Sequence, residues 1–412
     1  MGSMSNRLAA SGGGVKVGDI RLNAANLNSI ESGKWAKSDG SLVATGLYPE
    51  LEAVLATSPN PLSNEAWDEG GSTAGSVAYG AGTITTTGSA FVMFRPWVTG
   101  SQIAISTNGN TWSFASGPGV VVGGYARLIA FMSGLATQRL IIVNTTAATT
   151  EAPFWHATAP GGAWTAGCGG QANGLADGSA FTPQTLAVNT AGTIAMFGAQ
   201  GTSVSTGGTV WKTTNGTGWA QVGGSGTFGA ELYAIGFGGG WWWVAASTGK
   251  WYSTDDGGSW VQFDTTTSRV HTAIVYMTNI NVVVFTSVNA ATPNFNAYQK
   301  NGTALTGYSY VYNFPTFALG NGLYLTSEGY FYTAVQNTGS QSFFGFIRTS
   351  NLQSWEALPV AATVRCMAYL PSVKVGLSVG GSRDNRYRFL APTPGYIRMP
   401  NFGPDSWVRV AA

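Results

Sequence analysis

The segment STDDGGSW, Ser253 to Trp260, sets two adjacent carboxylates among hydroxyl side chains, two glycines and a tryptophan. Residues of these types do three kinds of chemistry. Paired carboxylates act as general acid and base on a glycosidic bond. Carboxylates at alternating positions, with a distal Glu, hold calcium. Asp and Ser side chains also fix turns, by accepting hydrogen bonds from main-chain N–H groups two residues on. Asp255 and Asp256 are direct neighbours, so the alternating spacing of a calcium loop is absent and no metal is expected here. Gly257 and Gly258 allow the positive φ of a tight hairpin. Trp260 carries a large apolar face and an N–H able to reach a carbonyl. Nothing in the turn reading requires a substrate.

The other reactive side chains form no constellation. His156 and His271 lack a partner at metal or triad spacing. Cys168 and Cys366 lie far apart, form no zinc-type spacing and read as free, buried thiols of a protein made in a reducing compartment. No metal and no cofactor are expected. The net charge is +2, and charged residues are only 9%. Neither a basic field for nucleic acid nor a charge-rich disordered tail is therefore implied. The apolar stretch Leu128 to Val143 contains Gly, Gln and Arg and reads as two strands with a turn, not as a membrane span. Residues 1–14 read as a tag remnant and flexible start, with no secretory leader.

The elements that position STDDGGSW emerge from comparison with the rest of the chain. Similar segments end at Trp112 (STNGNTW), Trp164 (TAPGGAW), Trp219 (TTNGTGW) and Trp355 (TSNLQSW). Trp-to-Trp spacings of 52, 55 and 41 precede Trp260, and the 95-residue gap to Trp355 leaves room for a degenerate copy near NGTALTGYSY, Asn301 to Tyr310. Each copy follows short β-rich runs broken by glycine. A period in the 40s to 50s with about four strands per unit is the pattern of propeller blades. Seven four-stranded blades are expected, within a range of six to eight, over residues 61–389. An N-terminal strand near Trp67 is expected to complete the last blade and so remove an open edge. Across the copies Asp255 gives way to Asn108, Pro160, Asn215 and Asn351 while the Trp stays. Ser253, Asp255, Gly257, Trp260 and the four other tryptophans are therefore read as blade-turn residues. WWWV, Trp241 to Val244, reads as a strand buried on both faces.

Residues 15–60 differ. They contain VGDI (Val17 to Ile20), Trp35, SDGS (Ser38 to Ser41) and YPELEAVL (Tyr48 to Leu55), the last with helical spacing. These pieces resemble the N-terminal half of the bacteriophage tail-collar family. The other chain end, YIRMPNFGPDSWVRVA (Tyr396 to Ala411), resembles that family's continuation, with MPNF standing where the family has a Pro-Asp motif. The resemblance covers about 65 residues. It implies one collar-like attachment domain, 15–60 with 390–412, interrupted by the propeller, as closely spaced propeller ends allow.

STDDGGSW also resembles the Asp-box of sialidases, and FRPW (Phe94 to Trp97) resembles part of their substrate-arginine motif. A glycosidase needs two flanking carboxylates, or a Tyr nucleophile with a Glu partner. Many of the 18 acidic residues sit in turns or in the collar-like halves, no arginine triad can be assigned from the sequence, and a propeller by itself specifies no chemistry. Function concentrates on loops held by a rigid scaffold. Three stretches qualify for receptor binding: Phe154, Trp155 and His156 in a loop-like interruption; Phe295, Tyr298 and Lys300; and Arg383, Arg386 and Arg388.

The first expectation is thus a non-catalytic tail-tip or tail-fibre protein of a phage virion. It would be held to other tail proteins by the collar-like domain and would recognise a bacterial surface glycan or pilus. A virion-associated depolymerase and a structural tail-tip component are the alternatives. No coiled-coil heptads are visible, so monomer and trimer both stay open.

Overall fold

The computed structural model describes residues 20–22, 35–37, 42–44, 67–69, 84–95, 102–109, 111–118, 127–144, 154–167, 181–201, 207–266, 271–287, 294–309, 317–325, 329–337, 343–358, 364–373, 375–380, 386–390, 396–398 and 406–409. The chain divides into two compact units, Trp67–Phe389 on one side and Met1–Ala66 with Leu390–Ala412 on the other.

The larger unit is a β-propeller of seven four-stranded antiparallel sheets. Blade 1 runs Ile84–Thr86, Phe91–Arg95, Gln102–Ser106, Ser113–Ser116. Blade 2 runs Arg127–Met132, Arg139–Asn144, Phe154–Ala157, Thr165–Gly167, and blade 3 Phe181–Val188, Ala195–Gly201, Thr209–Thr213, Ala220–Gly223. Blade 4 is Leu232–Gly238, Trp241–Ala246, Gly249–Ser253, Val261–Asp264, and blade 5 is His271–Met277, Val282–Ser287, Asn294–Asn301, Ala304–Gly307. Blade 6 is Phe317–Leu325, Tyr330–Asn337, Phe343–Thr349, Glu356–Leu358. Blade 7 takes Val364–Leu370, Val375–Gly380 and Arg386–Leu390 from the end of the chain, and its fourth strand, Trp67–Glu69, from the beginning. Phe389 pairs with Trp67, Arg388 with Asp68 and Tyr387 with Glu69, so the ring closes by hydrogen bonding. The first strand of every blade packs on the first strand of the next, from blade 7 back to blade 1, and forms the inner ring. Closure leaves only short outer edges, which removes the edge-pairing hazard of an open sheet.

Blades pack on both faces, which accounts for the apolar runs. Trp241 and Trp243 join Tyr276 and Phe285 of blade 5 in one core cluster. Trp242 points the other way, into a cluster with Met196 and Val210 of blade 3. Alternation along one strand thus supplies two interblade cores.

Antiparallel order gives the ring two unlike faces. First-to-second and third-to-fourth connections emerge at one end of the strands, and second-to-third and fourth-to-first connections at the other. On the first face the connections are tight, such as Gly239–Gly240 between the first two strands of blade 4. On the second face they are longer in most blades, such as 145–153 and 168–180. These are called the turn face and the loop face below.

In the smaller unit, Ser406–Arg409 lies between Ile20–Leu22 and Trp35–Lys37 and pairs antiparallel with both. Leu42–Ala44 pairs with Tyr396–Arg398. Both chain ends therefore build the same sheets. The expected helix at Tyr48 to Leu55, the MPNF motif and Cys168 lie outside the described residues.

Candidate functional site

The turn face is built from the repeated segments. In blade 4 the Ser253 hydroxyl donates to Asp255 Oδ1 (2.8 Å) and accepts the Gly257 N–H (2.8 Å). Asp255 accepts the Ser259 N–H (2.9 Å) and the Ser259 hydroxyl (2.7 Å). Those bonds to the ionised form, from Ser259 first and Ser253 next, pull the Asp255 pKa down to about 2. Blade 1 repeats the device, with Ser106 accepting from Gly109 (2.8 Å) and Asn108 from Thr111 (2.9 Å). Blade 3 repeats it with Thr213, Asn215 and Gly216, and blade 6 with Thr349, Asn351 and Leu352.

Blade 4 carries one residue more than these copies, and that residue is Asp256, at φ 55°. Its carboxylate accepts the Trp242 indole N–H (2.9 Å), and its carbonyl accepts Lys212 Nζ of blade 3 (2.8 Å). The two adjacent acids are thus divided between holding a turn and tying two blades together. The tryptophans extend the tie. Trp260 donates to Val222 O (2.8 Å) and Trp164 to Ser116 O (3.2 Å), each on the outer strand of the preceding blade. Trp219 instead is buried against Phe154 of blade 2 and Phe197 of its own blade, at 5.5 and 4.8 Å. Trp355 packs on Phe295 of blade 5. In blade 5 the expected degenerate copy is the two-residue hairpin Gly302–Thr303, and Tyr308 bonds across to Asn351 O of blade 6 (3.2 Å).

Two of the expected binding residues require correction. Phe154 and Phe295 sit on the third strands of blades 2 and 5, not in loops, and both are fully buried between blades. The alternation that exposes one neighbour sends these rings inward. Trp155 and His156 are half-buried on the same strand. Burial, with the positive Arg139 nearby, lowers the His156 pKa, so the imidazole stays neutral at neutral pH.

Tyr298 and Lys300 lie towards the turn face. The Tyr298 hydroxyl donates to Asp264 of blade 4, and Lys300 Nζ donates to Gly239 O (3.0 Å) while resting 4.6 Å from the Trp241 ring centre. Both therefore serve the blade 4–5 seam. Arg386 opens the third strand of blade 7 and Arg388 pairs in register with Asp68. Arg383 lies outside the described residues. Arg95, from FRPW, ends the second strand of blade 1 at the loop face. Connections 145–153, 288–293 and 381–385, one from each of the three expected stretches, join second to third strands, so all three start and finish at the loop-face ends of their strands.

The loop face holds a pattern that sequence reasoning missed. In five consecutive blades, 3 to 7, the register of the first strand slips once towards its loop-face half. The positions passed over are Gln184, Tyr233, Thr272, Gly320 with Asn321, and Arg365. Bulges of this kind bend a strand and re-aim one side chain, and they gather at barrel rims and active sites. The inner ring therefore carries a run of polar bulge positions near one mouth. The signal in the sequence was a single polar residue breaking an apolar strand, as in LYAIGFG or VRCMAYL.

Tyr233 shows what a bulge does here. Its hydroxyl donates to Glu231 Oε2 (2.7 Å). Burial, then the bond and charge of Glu231, push its pKa up to about 12. The surrounding connections are braced: Gly208 N–H donates to Gly229 O (2.7 Å), Ser247 N–H to Glu231 O (2.8 Å) and Glu231 N–H to Ser247 Oγ (3.1 Å). A phenol beside a carboxylate offers a hydrogen-bonding pair to a hydroxyl-rich ligand, or a nucleophile with a base. Among the described residues no group of three or more His, Cys, Asp or Glu side chains could hold a metal ion.

No family model matches the chain, and no curated protein matches it. Among solved structures 1088 chains match, a breadth that by itself assigns no activity. One is YCF48 from Cyanidioschyzon merolae, at 11% identity and a TM-score of 0.52, over 79% of this chain and 99% of that one. At that identity the likeness is one of fold.

Proposed function

We propose that this protein is a receptor-binding component of a phage tail tip or tail fibre. The observation that carries the reading is the pairing of both chain ends in one sheet, with Ser406–Arg409 between Ile20–Leu22 and Trp35–Lys37. The same two ends carry the tail-collar resemblance, and a complete propeller stands between them. In this reading the collar-like unit docks to other tail proteins. The loop face of the propeller meets a glycan or pilus protein of the bacterial surface, without covalent chemistry. Its support is the division of labour between faces: one is locked by turns and latches, while the other carries the longer connections and the polar bulges.

The test is adsorption of the purified full-length chain to host cells, compared with a glycan array. Binding is expected, and Asp255→Asn, a turn-face change, leaves it intact. A folded protein that binds neither cells nor glycans removes the receptor-binding role. Loss of binding in folded Asp255→Asn moves the site to the turn face.

One observation favours a second reading, a glycosidase. Tyr233 and Glu231 supply the phenol–carboxylate pair that some glycosidases use in place of two carboxylates. Release of sugar from host polysaccharide, abolished by Tyr233→Phe, would replace the first reading with this one.

A further inference from the structure

Three Asn-Gly pairs lie in described turns: Asn108–Gly109, Asn215–Gly216 and Asn301–Gly302. An asparagine followed by glycine is chemically labile. The glycine amide nitrogen attacks the asparagine Cγ, ammonia leaves, and a five-membered succinimide forms. Water then opens that ring at either carbonyl, giving aspartate or isoaspartate. The step needs no oxidant, reductant or enzyme. It does need a free glycine amide nitrogen and an asparagine side-chain amide able to swing towards it.

Two of the three pairs are held away from that geometry. The Gly109 N–H donates to Ser106 Oγ (2.8 Å), and Asn108 Oδ1 accepts the Thr111 N–H (2.9 Å). The Gly216 N–H donates to Thr213 Oγ1 (2.9 Å), while Asn215 Oδ1 accepts from Thr217 and Gly218 (both 2.9 Å). Both glycines are buried. The hydrogen bonds that make the blade turn thus occupy the nucleophile and the electrophile at once.

Asn301–Gly302 is the opposite case. It opens the degenerate turn of blade 5, a two-residue hairpin whose flanking residues Asn301 and Ala304 pair directly. Asn301, Gly302 and Thr303 are all exposed. Gly302 has φ 63° and nothing within 4 Å of where a Cβ would stand. A tight hairpin with glycine first leaves that N–H outside the ladder. Among the described residues neither the Gly302 N–H nor the Asn301 side-chain amide has a hydrogen-bond partner.

We infer that Asn301 is a site of spontaneous deamidation in the folded protein, and that Asn108 and Asn215 are protected by their turns. Blade 5 lost the turn device, and with it the protection. The isoaspartyl product adds a backbone atom between Asn301 and Gly302. It displaces the Asn301–Ala304 pair and loosens the outer strand Ala304–Gly307. Either product adds one negative charge to the turn face.

The experiment incubates the full chain at mildly alkaline pH and physiological temperature, then maps peptides by mass spectrometry with chromatographic separation of aspartyl and isoaspartyl forms. Asn301 is expected to convert at least about tenfold faster than Asn108 or Asn215, because each of those must break two or more hydrogen bonds first. In strong denaturant the three rates converge. Thr213→Val, which removes the acceptor of the Gly216 N–H, accelerates conversion at Asn215. Gly302→Ala slows conversion at Asn301 in denaturant and in the fold. Equal rates at the three sites in the folded chain, or a persistent difference in denaturant, overturn the inference.

Discussion

Asp264→Asn tests the packing between blades 4 and 5 most severely. Lys250 has 1% of its side chain exposed, and its ammonium lies 2.6 Å from Asp264 Oδ2. Burial alone would raise the Asp264 pKa. The bonds from Lys250, Thr266 and Tyr298 outweigh it and hold the carboxyl below the usual range. The substitution keeps the shape and deletes the charge, leaving the ammonium buried with its carboxylate gone. Removing one partner of a buried pair costs about 3–5 kcal/mol. The Tyr298 ring, 5.8 Å from Lys250 Nζ, offsets part of that loss, and Asp264 keeps 14% exposure. A value near the lower bound, about 3 kcal/mol, is therefore expected. The double variant Lys250→Met, Asp264→Asn removes the stranded charge and is expected to recover about 1 kcal/mol or more. Urea unfolding followed by tryptophan fluorescence and by circular dichroism measures both. The sign with pH follows from the depressed pKa. The stabilisation is complete above the ordinary carboxylate pKa and is lost as pH falls through the lower folded value. A single variant that costs under about 1 kcal/mol, or a double variant no better than the single, refutes the argument.

Trp219→Ala, which empties a fully buried site against Phe154 and Phe197, should cost about 3–5 kcal/mol. Trp260→Phe should cost about 1 kcal/mol, since the half-buried ring is kept and only the bond to Val222 O is lost; both are read by thermal unfolding. Asp255 titrates at about 2, below its unfolded value, so its turn stabilises fully above the ordinary carboxylate pKa and fades as pH falls towards 2. Asp255→Asn should flatten that part of an acid-unfolding curve. Leu352 holds φ 59° where blades 1 and 3 have glycine, yet its side chain is fully buried. Leu352→Gly relieves about 1–2 kcal/mol of backbone strain but forfeits about 2–5 kcal/mol of packing. Net destabilisation in urea is expected, and a stabilised variant would show that strain dominates.

The repeat of hydroxyl, Asn or Asp, small residue and Trp determined the blade architecture from sequence. Those residues satisfy their own backbone within seven or eight positions, so their meaning is local. The same locality made WWWV readable as a two-sided strand and Trp67 as a closing one. What local pattern does not contain is which neighbour a side chain meets. Phe154 and Phe295 look like loop aromatics until strand pairing turns them inward. Tyr298 and Lys300 look like contact residues until blade 4 presents Asp264 and Gly239 to them. The adjacent acids of STDDGGSW differ in role only because Trp242 and Lys212 arrive from other strands to meet Asp256. The bulge positions, from Gln184 to Arg365, are one or two residues per blade and about forty to fifty positions apart in the chain. Only closure of the ring sets them side by side at one mouth, because register, not residue type, decides where a strand slips.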